Sequence, residues 1–320
     1  MTPAITDVPG VLVGHASDAE ALTGITVVLT PEGAVGGVDV RGGGPGTRET
    51  DLLSPLSLVS EVHGIVLCGG SAFGLAAATG VVDWLYAQGK GYDVGITRVP
   101  IVPAGVIFDL RIGRTDRWPD AALGYAACEA ATTTTAEGCV GVGMGATVGK
   151  IGGMATAVKS GVGTWSETLV DGTIVGALVV CNAFGDVWNE EGRIIAGTRD
   201  LDRGGFANAL RLLRQQQIQE IFPSRTESNT TLAVVATNVQ LSKAEVNKMA
   251  QMAQNALPRR IRPVHTPFDG DTVFGLALGQ RPAPHMTVLG SVATDVLAQA
   301  IERAITEATS AGGLPAARDV

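Results

Sequence analysis

Charge is scarce in this chain. Asp, Glu, Lys and Arg make up 17% of its 320 residues, against about a quarter in an ordinary soluble domain. The balance is acidic, with 23 Lys and Arg against 31 Asp and Glu for a formal −8. No arginine-rich run and no basic stretch interleaved with aromatics occurs, so a nucleic-acid partner is not expected. The four cysteines, Cys68, Cys128, Cys139 and Cys181, form no close pair and no metal-ligand spacing. They read as four buried free thiols in a reducing compartment. His15, His63, His265 and His285 are scattered, without HxH or HxxxH spacing. Neither a zinc site nor a Ser-His-Asp triad is expected from them, and no metal or organic cofactor is implied. Any acyl-transfer chemistry therefore needs another base. The opening MTPAITDVPG has no basic segment followed by an apolar one, and no apolar run is long enough to cross a bilayer. Without a secretory or membrane signal, cytoplasm is the expected setting and no membrane contact is expected.

What is plentiful is apolar surface and glycine. Apolar residues reach 45% and glycines number 43, a combination that predicts extensive internal packing and buried subunit interfaces rather than disorder. The length allows two average domains or one large layered one. β-Branched runs bounded by glycine predict strands over 11–13, 25–29, 35–40, 65–68, 140–142, 174–180, 231–236 and 273–278. Helical spacing predicts helices over 73–88, 120–131, 206–217, 245–257 and 288–308, with Ser242 and Glu245 forming a capping box. Strict strand–helix alternation is missing, so a doubly wound parallel sheet is not the natural reading. Two central sheets with helices packed outside them, a four-layer αββα sandwich in one domain, fit better. The single polar, linker-like stretch covers 215–229 and ends at Asn229, just before an apolar strand.

Three glycine-rich segments resemble known motifs and are weighed against plainer readings. Residues 145–150 (Gly-Ala-Thr-Val-Gly-Lys) have glycines one position too close for a P-loop, and Ile151 stands where Ser or Thr is required, so no nucleotide site is expected. Around Ser71, Phe73 breaks the nucleophile-elbow pattern, leaving a turn that opens a helix with Ser71 as its N-cap. Residues 41–49 (Arg-Gly-Gly-Gly-Pro-Gly-Thr-Arg-Glu) form a flexible loop whose backbone could approach a ligand, and taken alone are only a loop. His265, near a pair of carboxylates, has a structural hydrogen-bonding role open to it.

The segment Asn229-Thr230-Thr231, with Asp269-Gly270-Asp271-Thr272, residues 145–150 and Val180-Cys181-Asn182, resembles the L-aminopeptidase/D-esterase family. That family includes β-peptidyl aminopeptidases and 6-aminohexanoate-oligomer (nylon-oligomer) hydrolases. The likeness runs from about residue 5 to the last helix, with further agreement at 39–51 and 102–110. It implies a self-cleaving amidohydrolase cut between Asn229 and Thr230, giving fragments of 229 and 320 − 229 = 91 residues. Thr230 is then the N-terminal nucleophile, and its own new α-amine is the base. An α-amine titrates at about 7.7–8.0, which accounts for the missing histidine. Asn182 is implied as oxyanion donor, Asp269 and Asp271 as the pair orienting nucleophile and amine, and Lys150 as a charge beside them. Lys159 and Phe108 are weaker substrate-binding candidates. Phe108 stands where relatives often carry tyrosine, and two Asp residues in place of Ser and Glu lean toward the nylon-oligomer branch. The resemblance also implies peptide or linear amide-oligomer substrates and a tetramer of cleaved heterodimers. Two other readings remain: an acyltransferase of the ornithine acetyltransferase type, and an uncleaved binding protein that keeps the fold.

Overall fold

The longest strand carries the architecture. In the structure, a computed structural model describing residues 2–215 and 229–320, β1 (Leu12–Asp18) leads into β2 (Thr23–Val40), which is 18 residues long. The other strands of the main sheet are β3 (Thr47–Arg48), β4 (Glu61–Cys68), β5 (Ala104–Val106), β6 (Val162–Thr168), β7 (Ile174–Asn182), β8 (Thr230–Val239) and β9 (Thr272–Arg281). Their order is β6-β7-β8-β9-β2-β4-β5-β3, with β1 added to the first half of β2. The β8–β9 and β4–β5 pairs are parallel; the other pairs are antiparallel. The first half of β2 lies between β1 and β4, while its second half pairs with β9. One strand thus joins two stacked half-sheets.

Side-chain alternation shows the layers. Along β8, Leu232, Val234 and Ala236 enter a core shared with Val28, Ile65 and Leu67 of the other half-sheet, whereas Ala233 and Val235 face a second core. That second core is closed by α4 (Lys243–Ala253), α5 (Ala256–Arg260) and α6 (Met286–Thr306). A third core lies between β2 and β4 and the helices α1 (Ala77–Ala87) and α2 (Ala121–Glu129); α3 (Ala209–Arg214) packs separately against Ile151 and Phe184. Helices, half-sheet, half-sheet, helices: the four layers expected are present. The two sheets are continuous through β2 rather than separate.

Several local expectations shift. The runs at 25–29 and 35–40 belong to one strand. Residues 140–142 are not a strand, because Gly141 adopts φ 51° and opens a 3-10 turn (Gly141–Gly145) whose amides reach the Ser17 and Thr26 hydroxyls. Ser71 caps nothing; it starts a 3-10 turn at φ 52°, with Gly70 preceding it in the left-handed region. The helix expected over 245–257 is two helices, although the Ser242–Glu245 capping box forms on both sides. Cys139 is only partly buried, unlike the other three free thiols. Most of the expected linker, residues 216–228, lies outside the described residues, as do positions 216 and 217 of the helix expected to end there. No described helix is long and apolar enough to cross a membrane.

Helix α6 approaches the sheet over glycine. A Cβ on Gly163 would lie 2.1 Å from the Ala300 carbonyl oxygen and 2.3 Å from the Ala304 nitrogen, both backbone atoms of α6. Forced overpacking of this kind costs about 1–3 kcal/mol, so Gly163→Ala will lower the urea midpoint of the chain. An unchanged midpoint would mean the helix floats freely on the sheet.

Candidate active site

Thr230 is the first residue of β8, a central strand whose apolar run buries it on both faces. Across the antiparallel β7 it is paired with Asn182. On the other side, the parallel ladder runs from Leu232–Thr272 back to a bridge between Asn229 and Asp269 in unbroken register, since 272 − 232 and 269 − 229 are both 40. Thr230 therefore lies beside Gly270, and Thr231 beside Asp271. Cross-strand neighbours share a face of the sheet. Thr230 and Asn182 share one, while Thr231, Cys181 and Asp271 share the other.

The peptide bond at 229–230 is held from that parallel side. Gly270 donates its N–H to the Asn229 carbonyl oxygen at 2.7 Å, and Asn229 donates its own N–H to the Phe268 carbonyl at 2.9 Å. Gly270 also makes room for the hydroxyl: a Cβ there would stand 2.7 Å from Thr230 Oγ1. One residue without a side chain thus polarises the carbonyl and leaves space for the neighbouring hydroxyl. Asn229 is fully buried, and its Nδ2 has no hydrogen-bond partner among the described residues.

Asn182 closes β7, and its side chain has a fixed orientation. Its Oδ1 accepts from Lys150 Nζ at 2.7 Å and from the Thr147 N–H at 3.1 Å. With the oxygen so committed, Nδ2 is turned the other way and donates to the Phe108 carbonyl at 3.2 Å. An amide carries two N–H donors on that nitrogen, so a second hydrogen remains for a developing negative charge. Lys150 is buried and also donates to the Asn182 backbone carbonyl at 3.1 Å. Its charge therefore sits directly behind the amide on the Thr230 side of the sheet.

The two aspartates grip backbone. Asp271 Oδ1 accepts the Thr231 N–H at 2.8 Å; its other oxygen accepts from the His265 backbone N–H at 3.1 Å and bonds the His265 ring Nδ1 at 2.9 Å. Asp269 Oδ2 accepts the Thr266 N–H at 2.7 Å. Burial, and next the neighbouring Asp271, push the Asp269 carboxyl up toward neutrality, while its bonds to Thr266 and the more distant charge of Lys150 pull the other way. Behind this turn sits the glycine loop. Gly44 donates to the Asp269 carbonyl at 2.8 Å and Arg41 to that of Asp271 at 3.0 Å. A Cβ on Gly42 would meet the Asp269 carbonyl oxygen at 2.1 Å. The close approach of this loop's backbone is to the 269–271 turn.

A small cleft opens beside the bond, walled by Phe108, Ile112 and Met154, with Lys150, Thr147 and Asn229 among its polar lining. Arg111 stands over the Phe108 ring at 6.0 Å. Thr230, Asn182, Lys150, Asp269, Asp271 and Phe108 are thus brought to one place. Lys159 is not among the cleft's lining residues: fully buried, it donates to the Met144 and Ala146 carbonyls at 2.9 and 2.7 Å and fixes the loop that leads to Thr147 and Lys150. Burial lowers its amine to about 8. The sequence reading missed Gly270 as a donor, Thr147 on the Asn182 amide, and the glycine loop as a brace. The glycines were visible, but backbone donors have no letter of their own. Among the described residues no group of three or more His, Cys, Asp or Glu is arranged to hold a metal ion.

Comparisons with known proteins bear on the family and the fold. The model of peptidase family S58 matches residues 3–318. An uncharacterized aminopeptidase of Mycobacterium tuberculosis is 42% identical over 345 residues, spanning 99% of this chain and 97% of that protein. The 6-aminohexanoate-oligomer endohydrolase of Paenarthrobacter ureafaciens is 32% identical over 308 residues, spanning 92% and 84%. Among solved structures, the L-aminopeptidase D-Ala-esterase/amidase of Ochrobactrum anthropi, described as a variant of the Ntn hydrolase fold, superposes with a TM-score of 0.73 at 19% identity. It covers 98% of this chain and 89% of its own.

The raised Asp269 carboxyl has a consequence for stability. Between the ordinary carboxylate range and neutrality the folded chain keeps a proton that the unfolded chain has released, so this group's contribution to stability falls as pH rises through that window. In a Thr230→Ala background, Asp269→Asn will narrow the gap between melting temperatures measured at pH 5 and pH 8. An equal gap with and without the substitution would mean that Asp269 titrates normally.

Proposed function

The chain belongs to peptidase family S58 and is a hydrolase of amide bonds; from that premise we propose that it cuts itself between Asn229 and Thr230 and then uses Thr230 as an N-terminal nucleophile. The observation that carries this reading is the held bond: an Asn229 carbonyl oxygen 2.7 Å from the Gly270 N–H, with the Thr230 hydroxyl packed against the same glycine. In the first step Thr230 Oγ adds to the Asn229 carbonyl carbon. The C–N bond breaks, the acyl group passes to oxygen as an ester, and the hydroxyl proton ends on the freed amine. Water then hydrolyses the ester, leaving an Asn229 carboxylate and a free Thr230 α-amine.

That amine is the base the sequence lacked. Titrating near neutrality, it takes the Thr230 hydroxyl proton when a substrate carbonyl arrives and returns a proton to the leaving amine. The second N–H of Asn182, oriented by Lys150 and Thr147, donates to the tetrahedral oxyanion. Asp271, which already holds the Thr231 N–H just past this bond, and Asp269, which lies across the parallel bridge from Asn229, orient the amine that the backbone becomes. Lys150 adds positive charge behind Asn182 and favours the neutral, basic form of that amine.

The substrates we propose are peptides with a free amino end or linear amide oligomers, in line with the aminopeptidase and 6-aminohexanoate-oligomer endohydrolase relatives. The apolar cleft walls at Phe108, Ile112 and Met154 suit an aliphatic chain. A tetramer of cleaved heterodimers and a cytoplasmic setting complete the proposal.

Intact-mass spectrometry is the test. Wild type will yield pieces of 229 and 91 residues, and Thr230→Ala will stay whole; equal fragmentation of both points to an outside protease. Gly270→Ala, which sets a methyl against the hydroxyl, will also stay largely uncut while melting cooperatively. In the cleaved enzyme, Asn182→Ala will slow amide hydrolysis roughly a hundred- to thousandfold, chiefly in kcat. Unchanged turnover would remove Asn182 from the mechanism.

A further inference from the structure

We propose that His265 is a positioning residue for the cleavage site, acting through Asp271 on the Thr231 amide; this rests on the self-cleavage reading. The chain of contacts is short. The His265 ring Nδ1 lies 2.9 Å and its backbone N–H 3.1 Å from one oxygen of Asp271, while the other oxygen receives the Thr231 N–H at 2.8 Å. Thr231 follows the nucleophile directly. Fixing its amide fixes the register in which Thr230 lies beside Gly270 and Asn182.

Two further observations mark His265 as more than filler in a turn. Its backbone sits at φ 55°, in the left-handed region, which costs an L-residue more than it costs glycine, although His, like Asn and Asp, is found there more often than most. A glycine would take up that conformation more freely, yet here the position carries a ring bonded to Asp271. Its Nε2 is also buried with no partner among the described residues. The Asp271 bond is therefore the ring's hydrogen bond within the described structure. A carboxylate oxygen only accepts, so Nδ1 carries the proton and the buried Nε2 is a bare lone pair in the neutral tautomer. Thr266 does the same service next door, holding Asp269 with its backbone N–H. Consecutive residues thus each secure one carboxylate of the Asp-Gly-Asp turn.

Strain and hydrogen bond can be separated by choice of variant. His265→Gly relieves the left-handed backbone and deletes the ring; His265→Asn suits the same backbone and keeps a side-chain donor. Cleavage of freshly made full-length precursor, followed by intact mass, will be slowed about tenfold or more by His265→Gly, the loss of one hydrogen bond to a charged group. His265→Asn will cut within about threefold of wild type. The second measurement needs no cleavage: in the Thr230→Ala chain, adding His265→Gly will speed hydrogen exchange of the Thr231 amide about tenfold or more, adding His265→Asn will not, and the Val235 amide will be unmoved in both. Wild-type cutting by the glycine variant, or equal Thr231 exchange in all three chains, overturns the role of His265 alone. A wild type that never cuts at Asn229–Thr230 overturns the self-cleavage reading, and the exchange result identifies that case.

Discussion

The structure around the site depends on one parallel pairing, that of the strand beginning at Asn229–Thr230 with the turn 269–271. Parallel neighbours exchange slanted hydrogen bonds, and here one of them, from Gly270 to the Asn229 carbonyl, falls on the bond proposed above as the cleavage site. The pairing explains the glycine, because any side chain at 270 would occupy the space of the Thr230 hydroxyl. It explains the loop of three glycines behind it, because the turn's backbone carbonyls are bonded from that loop at distances no Cβ would allow at Gly42. It also sets the division of labour between faces: the hydroxyl and Asn182 on one, the carboxylate of Asp271 on the other. An attacking group and its future amine leave one residue in different directions. The site is built to match.

Two buried lysines show how similar residues do different work. Lys159 is satisfied by backbone carbonyls of the 3-10 turn and the residue beyond it; a buried cation needs such partners, since desolvation alone would drive it neutral. Its effect on the site is indirect, through the loop that carries Thr147 and Lys150. Lys150 instead spends two contacts on a single residue, Asn182. That bond settles which end of the amide faces the cleft, a choice a free asparagine would leave open. Removing Lys159 strips a scaffold; removing Lys150 unlocks a donor.

Much of this was legible in the chain. The apolar runs of β7 and β8, and the polar residues standing at their ends, announced strands with chemistry at one edge, and Asn182 and Thr230 are indeed directly paired. The four layers followed from strand-rich and helix-rich segments that do not alternate. What stayed hidden was whatever depended on backbone geometry or on long-range pairing. Residues 30–34 contain a proline and a glycine and read as a break, yet β2 continues through them with an irregularity in its pairing to β4. The β-branched Val140 and Val142 suggested a strand, but Gly141 at positive φ turned the chain instead. Ser71 read as a cap from its letter alone. The role of Gly270 could not be read either, because a glycine's spelling is the same whether it supplies an amide, a turn or empty space.

Under the proposed self-cleavage, the absence of a histidine base and the burial of the strand at Thr230 are two aspects of one design. An exposed N-terminal amine would be protonated for much of its time near neutral pH, and an exposed hydroxyl would be solvated by water on all sides. Making the amine by cutting a buried strand places it where positive charge from Lys150 and the desolvating sheet disfavour protonation. The carboxylates meant to orient that amine are themselves anchored, each to a backbone N–H. Asp271 is engaged on both oxygens before any cut is made, and burial favours the protonated form of Asp269. On the proposed reading, these fixed positions in the uncut chain are what would orient the amine toward the hydroxyl of its own residue.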